Sequence, residues 1–303
     1  MQKASTKSLK DTVKQSIVER LRRFRSSKLG RRIDFNTLPQ NLLAISETAD
    51  GLIFAVHPRD RAIGRDVFIE KRAYDSHLVD AVFATVQFKN PPILYDVGAN
   101  IGTIGIYAVS KGYAAKCIAF EPDPTNFTTL KINVLLNGME EDMELINCAL
   151  SSQAEDAVEF ELSSSNFGDH RVRITDEEGK FEEAGRRTIL VPTEVLDTFW
   201  DTKSADDAVI FMDTQGFEGH ILDGASNLVA AGAPLVTEFW PYGLQRSGGL
   251  ERFYSALETA PYQRFADLRK SNALMDFSID AVQAIAKELG NYGDYSELLF
   301  VAE

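Results

Sequence analysis

Apolar runs and helical repeats alternate along the chain from Ile93 onward. Each short apolar run predicts a buried strand, and the stretches between them carry apolar positions at the spacing of an amphipathic helix. Strands that alternate with helices indicate an α/β fold with a largely parallel sheet and helices on both faces. The predicted strands are 93–97, 117–121, 144–150, 209–213, 234–239 and 297–302, and the predicted helices are 103–110, 123–137, 217–231, 249–259 and 279–289.

Residues 151–192 interrupt this alternation. Two apolar runs flank a polar loop there, which predicts an inserted β-hairpin beside the sheet. Ahead of the sheet, residues 41–57 predict a small β-hairpin around a polar turn, and residues 70–88 predict a helix that ends at the proline pair of 90–92.

These patterns divide the chain into three parts. Residues 1–34 are expected to form a basic amphipathic arm, residues 35–90 a small amino-terminal cap region, and residues 91–303 the main α/β domain.

The arm has an apolar stripe at helical spacing with Lys and Arg on its flanks. Residues 1–34 contain eleven Lys or Arg and three acids, a net charge of +8 in a chain whose total is −13. One interpretation is an anchor on an anionic membrane surface or on a partner protein. The other is a helix that packs on its own body or on a second subunit of a homodimer. The stripe consists of Leu9, Val13, Ile17, Leu21 and Phe24.

Composition limits the function classes. The 303 residues are 44% hydrophobic and 25% charged, which is ordinary for a globular protein and excludes a disordered chain. The acidic body repels phosphate, so a broad nucleic-acid surface is not expected. Cys117 and Cys148 are predicted to be buried free thiols in a reducing compartment. We therefore expect a cytoplasmic protein, with the arm as a candidate contact to the inner face of a membrane.

The ends of the first two main-domain strands have ligand-binding features. The first strand runs into the glycine-rich turn Asp96–Gly102, and the second ends at Glu121. Parallel sheets bind ligands at the carboxyl ends of their strands, and an acid in the position of Glu121 accepts hydrogen bonds from ribose hydroxyls. Asn100 stands where a dinucleotide fingerprint has its second glycine, and the Asp96 carboxylate suits a cationic ligand. The turn therefore favours S-adenosylmethionine over NAD, unless its glycines only make a tight strand–helix connection.

Several motifs in a fixed order carry a family resemblance. They are DVGANIG, AFEPDPTNFTTLKINVLLNG, NCALS, VPTEVLDTF, MDTQGFEGHILDGA and LVTEF. Together they resemble the FkbM family of S-adenosylmethionine-dependent methyltransferases over about residues 93–240. The resemblance implies a Rossmann-like, seven-stranded class I methyltransferase sheet. It also implies methyl transfer, usually to a hydroxyl, often on a sugar or a polyketide.

The resemblance also implies roles for single residues. Asp96, Gly98, Asn100 and Gly102 would line the methionine end of the cofactor, and Glu121 would hold the ribose. Ala149 would end the third strand near the adenine, followed by Ser151, and Asp213 would face the methyl-transfer centre. The family often has a glutamate where this chain has Gln215, which weakens a metal site there.

His170 is the predicted general base because it lies in a polar loop of the insertion, where reactive groups tend to sit. Asp169 or Asp213 is expected to orient it, and Arg171 to bind an acidic or polyhydroxyl acceptor. The alternative is an exposed loop histidine without a catalytic role.

Residues at the end of the fifth strand and just after it are candidates for acceptor binding. Glu238, Trp240 and Tyr242 would contact the acceptor, although the two aromatic residues could instead form a hydrophobic lid or a dimer contact. Asp213 and Glu238 end adjacent strands and could bind a divalent metal ion, which is not favoured.

Two other functions compete with an O-methyltransferase acting on a small-molecule or glycan acceptor. A nicotinamide-dependent oxidoreductase could use the same scaffold. A non-catalytic scaffold protein could act through its basic arm.

Overall fold

The computed structural model describes residues 18–20, 22–200 and 207–302. Of the predicted apolar stripe in the arm, only Phe24 lies within these residues. The described elements, in chain order, are α1 (Lys28–Asn36), β1 (Ala44–Glu47), β2 (Ile53–Val56), α2 (Ile63–Glu70), α3 (Ser76–Thr85), β3 (Ile93–Val97), α4 (Thr103–Ser110), β4 (Lys116–Phe120), α5 (Pro124–Leu136), β5 (Met143–Ile146), β6 (Ala149–Leu150), β7 (Glu155–Leu162), β8 (Arg171–Val172), β9 (Arg187–Glu194), β10 (Ala208–Met212), α6 (Glu218–Asp223), α7 (Ser226–Ala230), β11 (Leu235–Phe239), α8 (Pro241–Ser247), α9 (Leu250–Thr259), β12 (Arg264–Asp267), β13 (Met275–Asp276), α10 (Ile279–Leu289) and β14 (Ser296–Val301).

The main sheet has the strand order β13-β12-β14-β11-β10-β3-β4-β5. Strands β5, β4, β3, β10 and β11 pair in parallel, and β14 is antiparallel to both of its neighbours, β11 and β12. The resemblance predicts seven strands, and the short β13 adds an eighth at the edge, antiparallel to β12. From β3 the chain moves outward through β4 and β5 and then returns to β10, so the strand order reverses between β3 and β10.

Two predicted elements are split. The third strand, predicted over 144–150, ends at Ile146, because the Asn147 side chain donates to the carbonyl oxygens of Glu121 and Pro122 and turns the chain. Ala149 therefore does not end this strand but begins β6, in a second sheet. The helix predicted over 217–231 breaks at Gly224, where an added Cβ would lie 2.2 Å from the carbonyl oxygen of Ser151.

The insertion forms a four-stranded sheet of order β6-β9-β7-β8. The predicted hairpin is its centre, because β7 and β9 pair antiparallel. The additional strands β6 and β8 are too short to stand out in the sequence pattern.

The cap region contains the predicted hairpin, in which β1 and β2 pair antiparallel. It also contains α2, which the sequence pattern did not indicate, and α3 lies within the predicted helix of 70–88. Side chains of α5 fix the cap region to the main domain: Asn133 accepts the N–H of Ala55 at 2.6 Å, and Asn137 accepts the N–H of Ile53 at 2.9 Å. The predicted boundary between arm and cap region, after residue 34, falls inside α1.

The central strands are buried on both faces, which explains their continuous apolar runs. Leu94 of β3 packs into the core that includes the cap region, and its neighbour Tyr95 packs into the core on the other face. Both cysteines are buried and unpaired, as predicted. Among the described residues, no helix combines the length and apolarity that a membrane crossing needs.

Candidate functional site

The glycine-rich turn after β3 lies where the strand order reverses, which is where open parallel sheets bind ligands. Gly98 and Gly102 have φ angles of 87° and 86°, and Asn100, a residue type that tolerates this region, has 53°. A Cβ on Gly98 would lie 2.0 Å from the carbonyl oxygen of Asp213. Only glycine therefore allows the ends of β3 and β10 to approach this closely.

Glu121 follows β4 and is 4% exposed. Its carboxylate accepts the backbone N–H groups of Asn100 and Asp123, both at 2.8 Å. Burial raises the pKa of Glu121 to about 8, although these two donors oppose the shift. Each carboxylate oxygen has two acceptor positions, so both can still accept a ligand hydroxyl. With Gly98, Asn100 and Ala149, Glu121 lines a cleft beside the turn.

Asp96 lies on the other side of the same turn. One carboxylate oxygen accepts the N–H of Gly105 at 3.1 Å, which ties β3 to α4. Burial raises the pKa of Asp96 to about 7. Asp96 lines a second cleft together with Gly98 and Asp213.

Four acids form the acidic cluster at the carboxyl end of the sheet: Asp75, Asp213, Glu238 and Glu297. Glu238 and Glu297 are direct cross-strand partners in β11 and β14, an arrangement in which like charges repel. The Gln215 amide donates to Asp213 at 2.8 Å and to both oxygens of Glu238 at 3.2 Å. In the described part of the chain, no Lys or Arg forms an ion pair with any of the four acids.

Burial and mutual repulsion shift the protonation of this cluster. Burial, with the nearby charge of Asp213, raises the pKa values of Glu238 and Glu297 well above the ordinary value and that of Asp75 to about 7. The Asp213 side chain opens into the cleft, but surrounding protein displaces much of its water, and this desolvation raises its pKa as well. A cationic ligand would therefore be stabilised here. Within the described ranges, no three His, Cys, Asp or Glu side chains are arranged as ligands of one metal ion.

His170 does not have the partner predicted for it. Its side chain is 6% exposed, and Nε2 lies 3.9 Å from the carboxylate of Asp123, which was not the predicted partner. Nδ1 accepts the N–H of Ser163 at 3.0 Å, which places the proton of the neutral ring on Nε2. Burial, with the charge of Arg186, lowers the pKa of His170 to about 4. With Nδ1 occupied and Nε2 protonated, His170 has no free lone pair, and this geometry argues against a general base.

The same pKa shift predicts a pH dependence of stability. The folded-state pKa lies below the unfolded value of about 6.5, so the unfolded chain takes up the proton first as the pH falls. The contribution of His170 is complete above the unfolded pKa and is lost as the pH falls toward the folded pKa. Between pH 7 and pH 5, the difference in unfolding free energy between wild type and His170→Asn should change by about 2 kcal/mol. Urea unfolding at both pH values measures this, and an unchanged difference contradicts the buried neutral imidazole.

Asp169 and Arg171 belong to an ion-pair network inside the insertion. Arg171 lies 2.9 Å from Asp169 and 3.0 Å from Glu161, and Arg186 also pairs with Asp169. The Arg171 side chain is 6% exposed, and its guanidinium lies over the Trp240 ring at 5.0 Å. These contacts favour a structural role for both residues. Their predicted roles in catalysis and acceptor binding remain predictions.

Trp240 and Tyr242 are both buried, within an aromatic cluster around Phe181. The Trp240 indole N–H donates to the carbonyl oxygen of Tyr292 at 2.6 Å, and the Tyr242 hydroxyl donates to Glu183 at 2.8 Å. This arrangement favours the lid alternative over direct contact with an acceptor.

A loop of the insertion covers the cleft beside Glu121. In this Phe167 loop (residues 163–170), the Phe167 carbonyl accepts the side-chain amides of Asn100 at 2.9 Å and Asn126 at 3.0 Å. The N–H of Phe167 donates to Asp60 of the cap region at 3.2 Å. The backbone of a single residue, Phe167, therefore links the cap region to the glycine-rich turn.

Asp60 is a functional candidate that the sequence patterns did not reveal. It is 2% exposed, and it also accepts the N–H groups of Ala62 at 3.1 Å and Gly64 at 2.6 Å. An aspartate just ahead of a helix is a recognisable local signal, but its bond to Phe167, 107 residues away, is not.

We expect Asp60→Ala to lower the free energy of unfolding by about 3 kcal/mol, because three N–H groups lose a charged acceptor. If the freed Phe167 loop is closed only a tenth of the time, the apparent Kd for S-adenosylhomocysteine should rise about tenfold. Urea unfolding and calorimetry measure the two effects. Asp66→Ala, in the same cap region but without contact to the Phe167 loop, should leave ligand affinity unchanged. Equal affinities in both variants would rule out this role for Asp60.

The strand order identifies the class of fold. Numbered along the main domain, seven strands follow the order 3-2-1-4-5-7-6 with only the seventh antiparallel, which is the class I methyltransferase fold. The family model "Methyltransferase FkbM domain" matches residues 96–271. The chain belongs to the FkbM methyltransferase family.

Single proteins match this chain only over part of its length or at low sequence identity. The chain is 34% identical over 87 residues to methyltransferase sdnD of Sordaria araneosa, a match covering 29% of this chain and 32% of that protein. The solved structure of methyltransferase FkbM from Methylobacillus flagellatus KT aligns with a TM-score of 0.41 and 18% identity, over 72% of this chain and 45% of that one. M. jannaschii TYW2 in complex with AdoMet aligns with a TM-score of 0.42 and 12% identity, over 88% and 89%. The chain thus spans about a third of the length of the curated relative it matches.

Proposed function

We propose that this protein transfers a methyl group from S-adenosylmethionine to a hydroxyl of a sugar, a glycan or a similar polyhydroxylated acceptor. The observation that carries the proposal is a single cleft lined by two carboxylates with different proposed roles, one for the cofactor and one for the acceptor. Both Glu121, where a ribose would bind, and Asp213, directly after β10, line this cleft.

The residues of the cleft fit S-adenosylmethionine. Gly98 keeps the turn free of a side chain, and the Glu121 carboxylate retains acceptor positions for two ribose hydroxyls. The acidic cluster has no ion pair to Lys or Arg among the described residues, so the positive charges of a sulfonium and an amino group would complement it. Asp96 and Asn100 would complete the wall at the methionine end.

The bound cofactor would supply an electrophilic methyl group on a positively charged sulfur. We assign Asp213 to accept the proton of the attacking hydroxyl, because its side chain lines the cleft and desolvation by the surrounding protein raises its pKa. Glu238, Glu297 and Asp75 can hydrogen-bond to acceptor hydroxyls in either protonation state, because a carboxylate accepts and a protonated carboxyl group both donates and accepts. The Phe167 loop limits access of water to the site.

The alternative functions have less support. In a dinucleotide site, the second glycine lets backbone approach the pyrophosphate. Here the Asn100 side chain occupies that position, donating to Phe167 and accepting the N–H of Ile101 at 2.9 Å. This arrangement and the family membership favour methyl transfer over nicotinamide chemistry. They also favour an enzyme over a non-catalytic scaffold.

The test uses S-adenosylmethionine with a labelled methyl group and two pools of one soluble glycan extract. The hydroxyls of one pool are left free, and those of the other are blocked by acetylation. We expect label in the free pool only, recovered as a methyl ether by mass spectrometry. Equal labelling of both pools, or label recovered on nitrogen, would contradict a hydroxyl acceptor.

A further inference from the structure

The described residues of 18–36, here called the basic segment, leave apolar side chains in solvent. Leu29 and Ile33 of α1 are 60% and 47% exposed, and Phe24 and Val18 are 44% and 46% exposed. Four large apolar side chains exposed within so short a stretch are more than a globular surface requires.

The outer face of α1 is not needed to hold the helix in place. Phe35 is fully buried on the inner face, and α1 packs against α2. Lys28 pairs with Glu70, and Arg31 donates to the carbonyl oxygen of Ile69 at 2.6 Å. Leu29 and Ile33 are four residues apart and therefore lie on one helix face. On that face, both side chains project largely into solvent.

The charge of the basic segment is opposite to that of the protein. It contains seven Lys or Arg and two acids, a net charge of +5 in a chain of −13. Arg22, Arg23 and Arg32 are all exposed. An apolar face surrounded by basic side chains is typical of helices that lie in the interface of an anionic bilayer.

We infer that the basic segment docks the protein onto an anionic lipid surface, a property beyond the proposed methyl transfer. A symmetric dimer through the same face is disfavoured, because a two-fold contact places the same patch on both subunits and brings +5 against +5. Anionic lipid headgroups neutralise that charge, and the apolar side chains enter the headgroup boundary.

The full-length protein is tested by co-sedimentation with phosphatidylcholine vesicles, with and without phosphatidylglycerol. We expect binding only when phosphatidylglycerol is present, and weaker binding at high salt. The triple variant Arg22→Gln, Arg23→Gln, Arg32→Gln should bind roughly a hundredfold more weakly, since each basic residue contributes about fivefold. The double variant Leu29→Gln, Ile33→Gln should also lose binding.

A matched control is available on α5. Leu135 and Leu136 are 62% and 38% exposed but lie outside the basic segment, so Leu135→Gln, Leu136→Gln should bind vesicles like wild type. Equal binding of all variants, or no binding by wild type, overturns the inference. So does sedimentation that shows a dimer lost in Leu29→Gln, Ile33→Gln without vesicle binding, because the face would then be a subunit interface. Vesicle binding is measured without any methyl acceptor, so failure here is distinguishable from failure of the proposed function.

Discussion

Replacing Asp213 with asparagine is expected to lower kcat by about 10²–10⁴-fold, the usual contribution of a positioned general base. Asparagine keeps the shape of the side chain and can still accept the Gln215 amide, which donates at 2.8 Å in the wild type. Cofactor affinity should therefore change little. The acid limb of the kcat–pH profile should disappear, because wild-type activity requires Asp213 to be ionised and is lost as the pH falls through its raised pKa.

The control for this variant is Asp142→Asn, an exposed aspartate in the turn before β5. It should retain wild-type kcat. If Asp213→Asn retains both kcat and the acid limb, another group takes the proton, and the assignment of the base to the end of β10 is wrong.

The second large effect is expected for Glu121→Gln, which should weaken the binding of S-adenosylhomocysteine roughly a hundredfold, about 3 kcal/mol. In the wild type, both carboxylate oxygens accept a backbone N–H at 2.8 Å. An amide must turn its NH2 group toward one of these donors. The variant therefore loses hydrogen bonds to the ribose and also disturbs the glycine-rich turn.

Calorimetry with S-adenosylhomocysteine measures this change without requiring an acceptor. Glu144→Gln, an exposed glutamate on β5, is the matched control and should bind like wild type. Wild-type affinity in Glu121→Gln would show that the nucleoside does not contact Glu121.

The central strands and the first helix of the main domain were predictable because burial on both faces gives unambiguous apolar runs. β3 and α4 match their predicted bounds, and β4 and β10 differ by one residue at each end. The predicted end of the third strand was wrong because the sequence stays apolar past Asn147. The turn there depends on hydrogen bonds from the Asn147 side chain to the two residues that follow β4. α2 was missed because its burial depends on packing against α1 and the hairpin, which no local pattern records.

In the site, too, features set by the local sequence pattern were predictable, and features set by tertiary contacts were not. Residues at strand ends, such as Gly98, Glu121 and Asp213, were predictable because the parallel topology fixes where they meet. The partners of His170 and the role of Asp60 were not, because both depend on where the Phe167 loop lies. Glu297 was missed as a candidate for a similar reason: its antiparallel strand brings it opposite Glu238 from near the end of the chain.

A crystal structure of the protein with S-adenosylhomocysteine tests the central claim most directly. We predict ribose hydroxyls within hydrogen-bonding distance of the Glu121 carboxylate. We also predict that the sulfur lies beside Gly98, and that the side of the sulfur from which the methyl group has been lost faces Asp213. A nucleoside bound away from the ends of β3 and β4, or a Glu121 side chain turned away from the ribose, would contradict the assignment of the site.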